Sequence, residues 1–306
     1  MKLRDFTVIL VIVFSAVTGI GLPVAAPFFA PLMLYGVMMS LFISFIPLDF
    51  KVLVRIVWQR KGAIIWYAIA HQLIFPSLSY LLFQLIAPDY AFAALLLTGT
   101  AVGASAPFMA YLMGANVGFV TVLTVTTSFL LPFSLPLTVQ FWGGTTIDIS
   151  LIDMMLTLAR MILIPAFIAF IVQRFVPAFA QTVIRYGYIL GMAAMYISMT
   201  AVFFRYAPEL TSSYQLVKEG LIVSFIASFL LILFGWLSGL FYSPDIRQLY
   251  VISSVFINSV VVIVISAQFF GHREAISAIC YSFAPYYLLF PLLRFYVVHT
   301  GKKEAH

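Results

Sequence analysis

The sequence predicts an all-α polytopic membrane protein with ten transmembrane helices in two inverted five-helix repeats. Three observations support this prediction. Of 306 residues, 64% are hydrophobic and only 8% are charged, whereas a soluble domain carries about 25% charged residues. Apolar stretches long enough to cross a bilayer follow one another along the whole chain. The irregular segments of the two halves also recur at a spacing of about 150 residues, as internal repeats of a transporter would.

Ten stretches have the length and hydrophobicity of a membrane span, which needs about 20 mostly apolar residues. Some linkers between them are short enough for tight hairpins, as at Gly114–Asn116. In chain order the predicted spans are Phe6–Leu22, Ala26–Ile46, Ala63–Ile86, Ala91–Met113, Val117–Gln140, Leu151–Val172, Tyr186–Phe204, Leu216–Leu240, Gln248–Phe270 and Ala275–Val298.

Lysine and arginine predict the orientation of these spans. An even number of spans places both termini on one side, and that side carries most of the basic loop residues. They are Lys2, Arg4, Lys51, Arg55, Arg60, Lys61, Arg174, Arg185, Arg247, Arg294, Lys302 and Lys303. The other side carries only Arg205, Lys218 and Arg273. Because basic loops remain inside, we expect a multi-pass protein of the plasma or inner membrane with both termini cytoplasmic.

The two halves of the chain are predicted to be inverted repeats, residues 1–145 and residues 146–306. Each half has an odd number of spans, so the second half enters the membrane upside down relative to the first. Their irregularities correspond, since spans five and ten both carry paired prolines. These are Pro132 and Pro136 in span five, and Pro285 and Pro291 in span ten.

Span four carries Gly99, Gly103 and Pro107 where a helix should be most regular. Proline removes a backbone donor and clashes with the preceding turn, and irregular backbone survives in a membrane only inside protein or beside a water-filled cavity. We therefore expect two half-helices, the second beginning near Ala106 and offering free N–H groups that attract anions. Span nine is expected to break near Asn258. The alternative is an ordinary packing kink in each span.

Two ionisable residues lie deep in predicted spans, Arg160 in span six and His71 in span three. Burying an arginine costs about 2.5–3.5 kcal/mol on insertion scales, and such residues usually face a cavity. Arg160 is therefore either a counter-ion for an anionic substrate or a snorkelling side chain. His71 either carries a coupling proton, since histidine titrates near neutral pH, or is a neutral side chain bonded to a carbonyl.

Three segments resemble the bile acid:sodium symporter family. They are "HQLIFPSLSYLL", "GTAVGASAPFMAYLMGANVGFVTVLTVTTSFLLPFSLPL" and "INSVVVIVISAQF", which are similar to the family's third span, its fourth–fifth hairpin and its ninth span. The resemblance implies a core domain of spans 3–5 and 8–10, in which broken helices four and nine cross, and a panel domain of spans 1, 2, 6 and 7. It also implies organic-anion substrates, usually moved with sodium.

The chain departs from that family at most sodium-ligand positions. A serine–asparagine pair is replaced by Ala106 and Pro107, and one of two hydroxyl ligands by Val120, while Thr124 retains the other. A glutamate and a glutamine on span nine are replaced by Ser253 and Ile257, and a glutamine on span three by His71. All ten acidic residues fall in loops or at span ends. Conventional two-sodium coupling is therefore not expected, and weak sodium binding or proton coupling remain open.

These considerations give two predicted groups of site residues. The predicted substrate-binding group is Ser105, Ala106, Pro107, Arg160, Ser254, Asn258 and Ser259. The predicted coupling-ion group is His71, Thr124 and Ser253. No metal site is assigned and no cofactor is expected.

The sequence favours a secondary active transporter that moves a small organic anion by alternating access, with the lipid bilayer as its other partner. The alternatives are a proton-coupled or uncoupled carrier that uses His71, and a non-transporting membrane sensor on a transporter fold. An enzyme is not expected, because paired carboxylates, HExxH and GxSxG are all missing. The basic residues are dispersed, which argues against a nucleic-acid partner, and the oligomeric state is left open.

Overall fold

The computed structural model describes residues 7–22, 26–29, 32–144, 149–283, 293, 295 and 296. Regular secondary structure in this part of the chain is helical, and the one isolated β-bridge joins Val102 to Ile257. Five helical stretches are long and apolar enough to cross a membrane, and shorter apolar helices accompany them. The five are Lys51–Ile86, Val117–Gly143, Leu151–Phe175, Pro177–Ser212 and Tyr214–Ser238. This secondary structure is consistent with a polytopic membrane protein.

The helices are α1 (Thr7–Gly21), α2 (Ala26–Phe29), α3 (Leu32–Phe45), α4 (Phe50–Ile69), α5 (Phe75–Ile86), α6 (Ala91–Gly99), α7 (Ala106–Met113), α8 (Val117–Gly143), α9 (Leu151–Phe175), α10 (Pro177–Ser212), α11 (Tyr214–Ser238), α12 (Pro244–Val255), α13 (Ser259–Phe269) and α14 (His272–Tyr281). A π-helical turn, Ala70–Ile74, joins α4 to α5, and a 3₁₀ turn, Pro88–Tyr90, precedes α6.

The chain divides into two compact units. The first consists of Met1–Asp49 and Leu156–Val217, and the second of Phe50–Met155 and Lys218–His306. The first unit therefore contains α1 to α3, most of α9 and α10, and the second contains α4 to α8, most of α11 and α12 to α14.

In the first unit, α10 packs against both α1 and α3. Glycines permit the close approach: a Cβ on Gly36 of α3 would lie 3.1 Å from the backbone nitrogen of Ser198, and a Cβ on Gly19 of α1 would lie 3.0 Å from that of Phe204. Small residues allow helix backbones to approach closely in membranes, where van der Waals contact replaces the hydrophobic effect as the main attraction.

In the second unit, the helices pack as hairpins around α6, α8 and α12. The hairpin partners α5 and α6 contact each other, as do α13 and α14, while α8 contacts α4, α7 and α12. The α6 helix also contacts α14, α13 and the π-helical turn. The helices on either side of the two backbone breaks described below, α6 with α7 and α12 with α13, take part in these contacts.

A polar cluster at the ends of the predicted spans joins the starts of α6, α11 and α14. The Tyr90 hydroxyl donates to Glu219 at 2.5 Å, and Arg273 forms a 3.0 Å ion pair with Asp89. Burial raises the pKa of the Tyr90 phenol, and the hydrogen bond to the Glu219 carboxylate raises it further. The cluster therefore connects three helix starts of the second unit.

Two helices are longer than the predicted spans. The third span was expected to begin at Ala63, but the helix runs from Phe50 to Ile86 with a non-helical kink at Arg60. The seventh span was expected at Tyr186–Phe204, but α10 is a 36-residue helix. A helix of that length spans about 54 Å, which exceeds the roughly 30 Å hydrocarbon core, so hydropathy detects only its apolar middle.

Some sequence predictions lie outside the described residues. The predicted tenth span is described as a helix from His272 to Tyr281, and Pro285 and Pro291 lie beyond the described part. Some of the basic residues that contribute to the predicted orientation also lie outside it; they are Lys2, Arg4, Arg294, Lys302 and Lys303.

Candidate functional site at two broken helices

The first break separates α6 from α7. Helix α6 ends at Gly99, Thr100 is extended with φ −75° and ψ 163°, and α7 begins at Ala106, as the sequence predicted. The N–H of Ala106 donates to the carbonyl of Gly103 at 3.0 Å, and Pro107 in the first turn has no N–H to offer. The expectation of free N–H groups is therefore wrong at Ala106 and Pro107. The N–H of Ala106 is bonded within the turn before α7, and Pro107 has no N–H.

The second break separates α12 from α13 near Asn258, also as predicted. Helix α12 ends at Val255 and α13 begins at Ser259. The Asn258 side-chain oxygen accepts a hydrogen bond from the N–H of Val261 at 3.4 Å, so it caps the N-terminus of α13. Because the cap occupies the oxygen, the NH₂ group of the Asn258 amide is the part that remains as a donor.

The two breaks pair with each other. The N–H of Gly103 donates to the carbonyl of Phe256 at 2.7 Å, and the N–H of Asn258 donates to the carbonyl of Ala101 at 2.9 Å. Val102 and Ile257 form the antiparallel bridge between these bonds. Each interrupted helix therefore satisfies backbone groups of the other, which is what interrupted helices in a membrane need.

A glycine and a threonine make the pairing possible. A Cβ on Gly103 would lie 2.8 Å from both the carbonyl oxygen of Phe256 and the carbonyl carbon of Ile257. On the other side, the hydroxyl of Thr127 on α8 accepts a hydrogen bond from the N–H of Val102 at 3.1 Å. The first break thus requires a residue without a side chain at position 103 and an acceptor at position 127.

His71, in the predicted coupling group, lies in the π-helical turn and is fully buried. Its Nε2 lies 3.1 Å from the carbonyl of Thr100, so Nε2 carries the hydrogen that is donated. The ring stacks on Tyr67 at a centroid distance of 5.1 Å, and Nδ1 is buried without a hydrogen-bond partner among the described residues. His71 therefore contacts the first break directly.

Ser254 on α12 is hydrogen-bonded to Tyr67, which stacks on His71. The Tyr67 hydroxyl and the Ser254 hydroxyl lie 3.1 Å apart, and both residues are buried. Ser253 is fully buried, and its hydroxyl lacks a partner within the described residues. Thr124 on α8 is buried and donates to the carbonyl of Val120 in its own helix at 3.0 Å. Ser254 is therefore joined to His71 through Tyr67.

The predicted substrate residues at the helix starts are more accessible. Ser105, Pro107, Asn258 and Ser259 are half-buried, whereas Ala106 is fully buried. The Ser259 hydroxyl accepts a hydrogen bond from Ser282 at 3.1 Å, so its own hydrogen is available for another acceptor. The start of α13 consequently offers two donors to a ligand, the Asn258 amide and the Ser259 hydroxyl.

Arg160 does not belong to this cluster within the second unit. It lies on α9 in the first unit and is exposed. Among the described residues, no hydrogen bond or ion pair involves its guanidinium. Its predicted role as a counter-ion remains a prediction.

Two residues that support the site, Gln72 and Tyr67, were not predicted from the sequence. Gln72 donates to the carbonyl of Thr127 at 2.6 Å and accepts from Ser134 at 2.7 Å, which ties the π-helical turn to α8. Tyr67 connects Ser254 with His71. A polar or aromatic residue four positions from His71 was the available signal for Tyr67, since residues four apart share a helix face.

The site lacks the donors that a metal ion prefers. In the described ranges no group of three or more His, Cys, Asp or Glu side chains could hold a metal ion. The side chains at Ala106, Pro107, Val120 and Ile257 contain no oxygen. Sodium as a transported partner would therefore rely on hydroxyls such as those of Thr124 and Ser253 and on backbone carbonyls.

The fold and the site together define an integral membrane protein built around paired, interrupted helices. The family model of the sodium bile acid symporter family matches residues 31–213, which is more than half of the chain. The chain belongs to that family, whose members are transporters of the bile acid or organic-anion type rather than enzymes. A search of curated proteins gave no match.

Proposed function

We propose that this protein is a secondary active transporter that moves a small organic anion by alternating access. The observation that supports it most directly is the reciprocal pairing of the two breaks, Gly103 with Phe256 and Asn258 with Ala101. Interrupted helices of this kind form the substrate sites of several transporter folds. Membership of a transporter family supports the same function.

In this proposal the chain crosses the membrane ten times as two inverted repeats, residues 1–145 and 146–306. The core is formed by spans 3–5 and 8–10 and the panel by spans 1, 2, 6 and 7. The division of the chain into Met1–Asp49 with Leu156–Val217 and Phe50–Met155 with Lys218–His306 supports this assignment. One unit would move against the other around a site at the two breaks.

The anion would bind at the start of α13 rather than to free backbone groups of α7. The N–H of Ala106 is already bonded, whereas the Asn258 amide and the Ser259 hydroxyl retain donors in a half-buried position. The positive end of the α13 dipole favours the same charge. Ser105 and Ser254 would contribute polar groups around the site, and Arg160 keeps its proposed role as the counter-ion of the anion.

Energy coupling in this proposal does not follow the two-sodium pattern, because four of the ligand positions lack a side-chain oxygen. A proton is the second candidate, and the observation that favours it is that Nδ1 of His71 has no hydrogen-bond partner among the described residues. Protonation there would place a charge beside the Thr100 carbonyl, inside the first break. An uncoupled carrier would instead keep His71 neutral and use it only to hold that carbonyl.

Uptake into proteoliposomes tests both parts of the proposal. The probes are radiolabelled bile acid conjugates and a panel of short carboxylates and sulfonates, each offered under a sodium gradient, a proton gradient or neither. We expect uptake of at least one probe without added sodium. Concentrative uptake that requires sodium at ordinary affinity would contradict the coupling assignment, and probe binding without uptake under any gradient would favour the sensor.

Variants at positions 258 and 259 separate binding from folding. Asn258→Asp keeps an oxygen that can cap Val261 but replaces the amide donor with a negative charge. We expect it to be folded and to lose anion uptake by about a hundredfold, because like charges disfavour one another in a site of low dielectric. Ser259→Ala should lose about tenfold, the value of one hydrogen bond to a charged group. Normal uptake by Asn258→Asp would place the substrate elsewhere.

A further inference from the structure

The first residues of α4 extend the helix beyond the length that a membrane span requires. The continuous stretch Lys51–Ile86 contains 36 residues, or about 54 Å of helix, while the hydrocarbon core is about 30 Å thick. The backbone leaves helical geometry at Arg60, with φ −128° and ψ 25°. The kink divides the stretch into an apolar span and a preceding segment, residues 51–61, which we call the basic segment.

The basic segment carries a concentration of positive charge. Lys51, Arg55, Arg60 and Lys61 are all exposed. Lys51 and Arg55 are four residues apart and share a helix face, which Gln59 continues. No acidic residue occurs between Asp49 and Asp89, so the segment itself contains basic residues and no acidic ones.

The same segment exposes apolar side chains beside its charges. Trp58 is 71% exposed and Val54 is 54% exposed, whereas Leu53 and Ile56 are half-buried. Ile56 lies over Gly118 at the start of α8, where a glycine Cβ would be 3.2 Å from its Cδ1. One side of the segment is therefore packed on the second unit, and the rest presents tryptophan, valine and basic groups outward.

We propose that the basic segment lies in the membrane interface and binds the headgroups of anionic phospholipids. Tryptophan is enriched at the headgroup level of a membrane, and Trp58 lies three residues from Arg55 on the same side of the helix. Clusters of lysine and arginine next to a span recognise anionic lipids, and each one adds affinity. Trp58 would insert at headgroup level while Lys51, Arg55, Arg60 and Lys61 contact the phosphates.

Quenching of Trp58 fluorescence tests this proposal without any transport assay. The other tryptophans, Trp66, Trp142 and Trp236, are replaced by phenylalanine in the full chain. The protein is reconstituted in phosphatidylcholine containing either brominated phosphatidylglycerol or brominated phosphatidylcholine at the same fraction. We expect stronger quenching by the anionic lipid, and we expect Lys51→Gln with Arg55→Gln to lower that preference roughly tenfold.

A charge-matched control makes the result specific. Arg174→Gln with Arg185→Gln removes two exposed basic residues of the first unit and should leave the lipid preference at Trp58 unchanged. Lys51→Arg with Arg55→Lys keeps the charge and should retain the preference, which separates lipid binding from a folding defect. Equal quenching by both lipids, or an equal loss in the two glutamine pairs, would overturn the proposal.

Discussion

Both helix breaks interrupt a helix and pair with each other, but they are built from different residues. The first runs through residues 100–105, begins with an extended threonine and contains Gly103. The second is limited to residues 256–258, contains no glycine and ends on Asn258. The Asn258 side chain caps α13, whereas Ser105, in the equivalent position before α7, makes no side-chain cap.

This difference shows that the two breaks depend on different interactions. Besides its pairing with the first break, the second break has a local contact of its own, since its asparagine side chain satisfies an N–H of α13. The first break depends on other segments: Phe256 accepts from Gly103, Thr127 accepts from Val102, and His71 contacts Thr100. We therefore expect substitutions around the first break to disturb contacts with other segments. Substitutions of the Asn258 side chain should mainly destabilise the start of α13.

The largest effect should come from Gly103→Ala. Its Cβ would lie 2.8 Å from backbone atoms of Phe256 and Ile257, which cannot move without breaking the pairing of the two helices. We expect a loss of about 3 kcal/mol or more in the free energy of unfolding, the upper range for overpacking. Reversible denaturation in mixed micelles measures it.

Gly191→Ala is the matched control for this change. A Cβ at Gly191 in α10 meets nothing within 4 Å, and alanine favours helix over glycine by up to about 1 kcal/mol. The control should be neutral or slightly stabilising. A Gly103→Ala protein as stable as the control would mean that the close approach of the breaks is not required.

The second largest effect should come from Thr127→Val. Valine has nearly the same shape but no acceptor, so the buried N–H of Val102 would lose its partner. An unsatisfied buried donor costs about 1–3 kcal/mol. We expect that loss of unfolding free energy from Thr127→Val, whereas Thr127→Ser, which keeps the hydroxyl, should lose about half as much or less. Equal losses in the two variants would attribute the effect to packing.

The breaks themselves were predictable because their causes are local. Gly99, Gly103 and Pro107 are poor helix formers within a few residues of one another, and Asn258 is a preferred N-cap. The sequence therefore predicted the start of α7 at Ala106 and the interruption near Asn258, and both are confirmed. Resemblance to the sodium bile acid symporter family was also confirmed by the match over residues 31–213.

The partners of the breaks were not predictable from local pattern. The bond from Gly103 to Phe256 joins positions far apart in sequence, and nothing in either segment specifies its register. The π-helical turn at Ala70–Ile74 and the kink at Arg60 depend on neighbours in space. The expectation of a free N–H at Ala106 was wrong for a similar reason. That N–H donates to Gly103, whose own N–H is bonded to Phe256 in the other break.

A moderate effect is expected from Asn258→Ala. The substitution removes the cap on Val261, and loss of an N-cap costs about 1 kcal/mol. It also removes the amide donor proposed for the substrate, so anion uptake should fall further than stability does. Comparing Asn258→Ala with Asn258→Asp in both assays checks this, because only the aspartate variant should keep the stability of the wild type. A stable Asn258→Ala protein would show that the cap is not what fixes the second break.

The smallest effect should come from Ser105→Ala, the counterpart of Asn258→Ala in the first break. Because the Ser105 side chain does not cap α7, alanine removes no N-cap and should cost about 0.5 kcal/mol or less, at or below the lower end of the range for a lost cap. The difference between the two alanine variants measures the asymmetry of the breaks directly. In mixed micelles, the free energy of unfolding of the Ser105→Ala protein should exceed that of Asn258→Ala by about 0.5 kcal/mol. The upper limit of this difference is roughly the cost of one N-cap. If Ser105→Ala were the more destabilising of the two, the first break would be held by its own side chain, and its dependence on Phe256 and Thr127 would have to be abandoned.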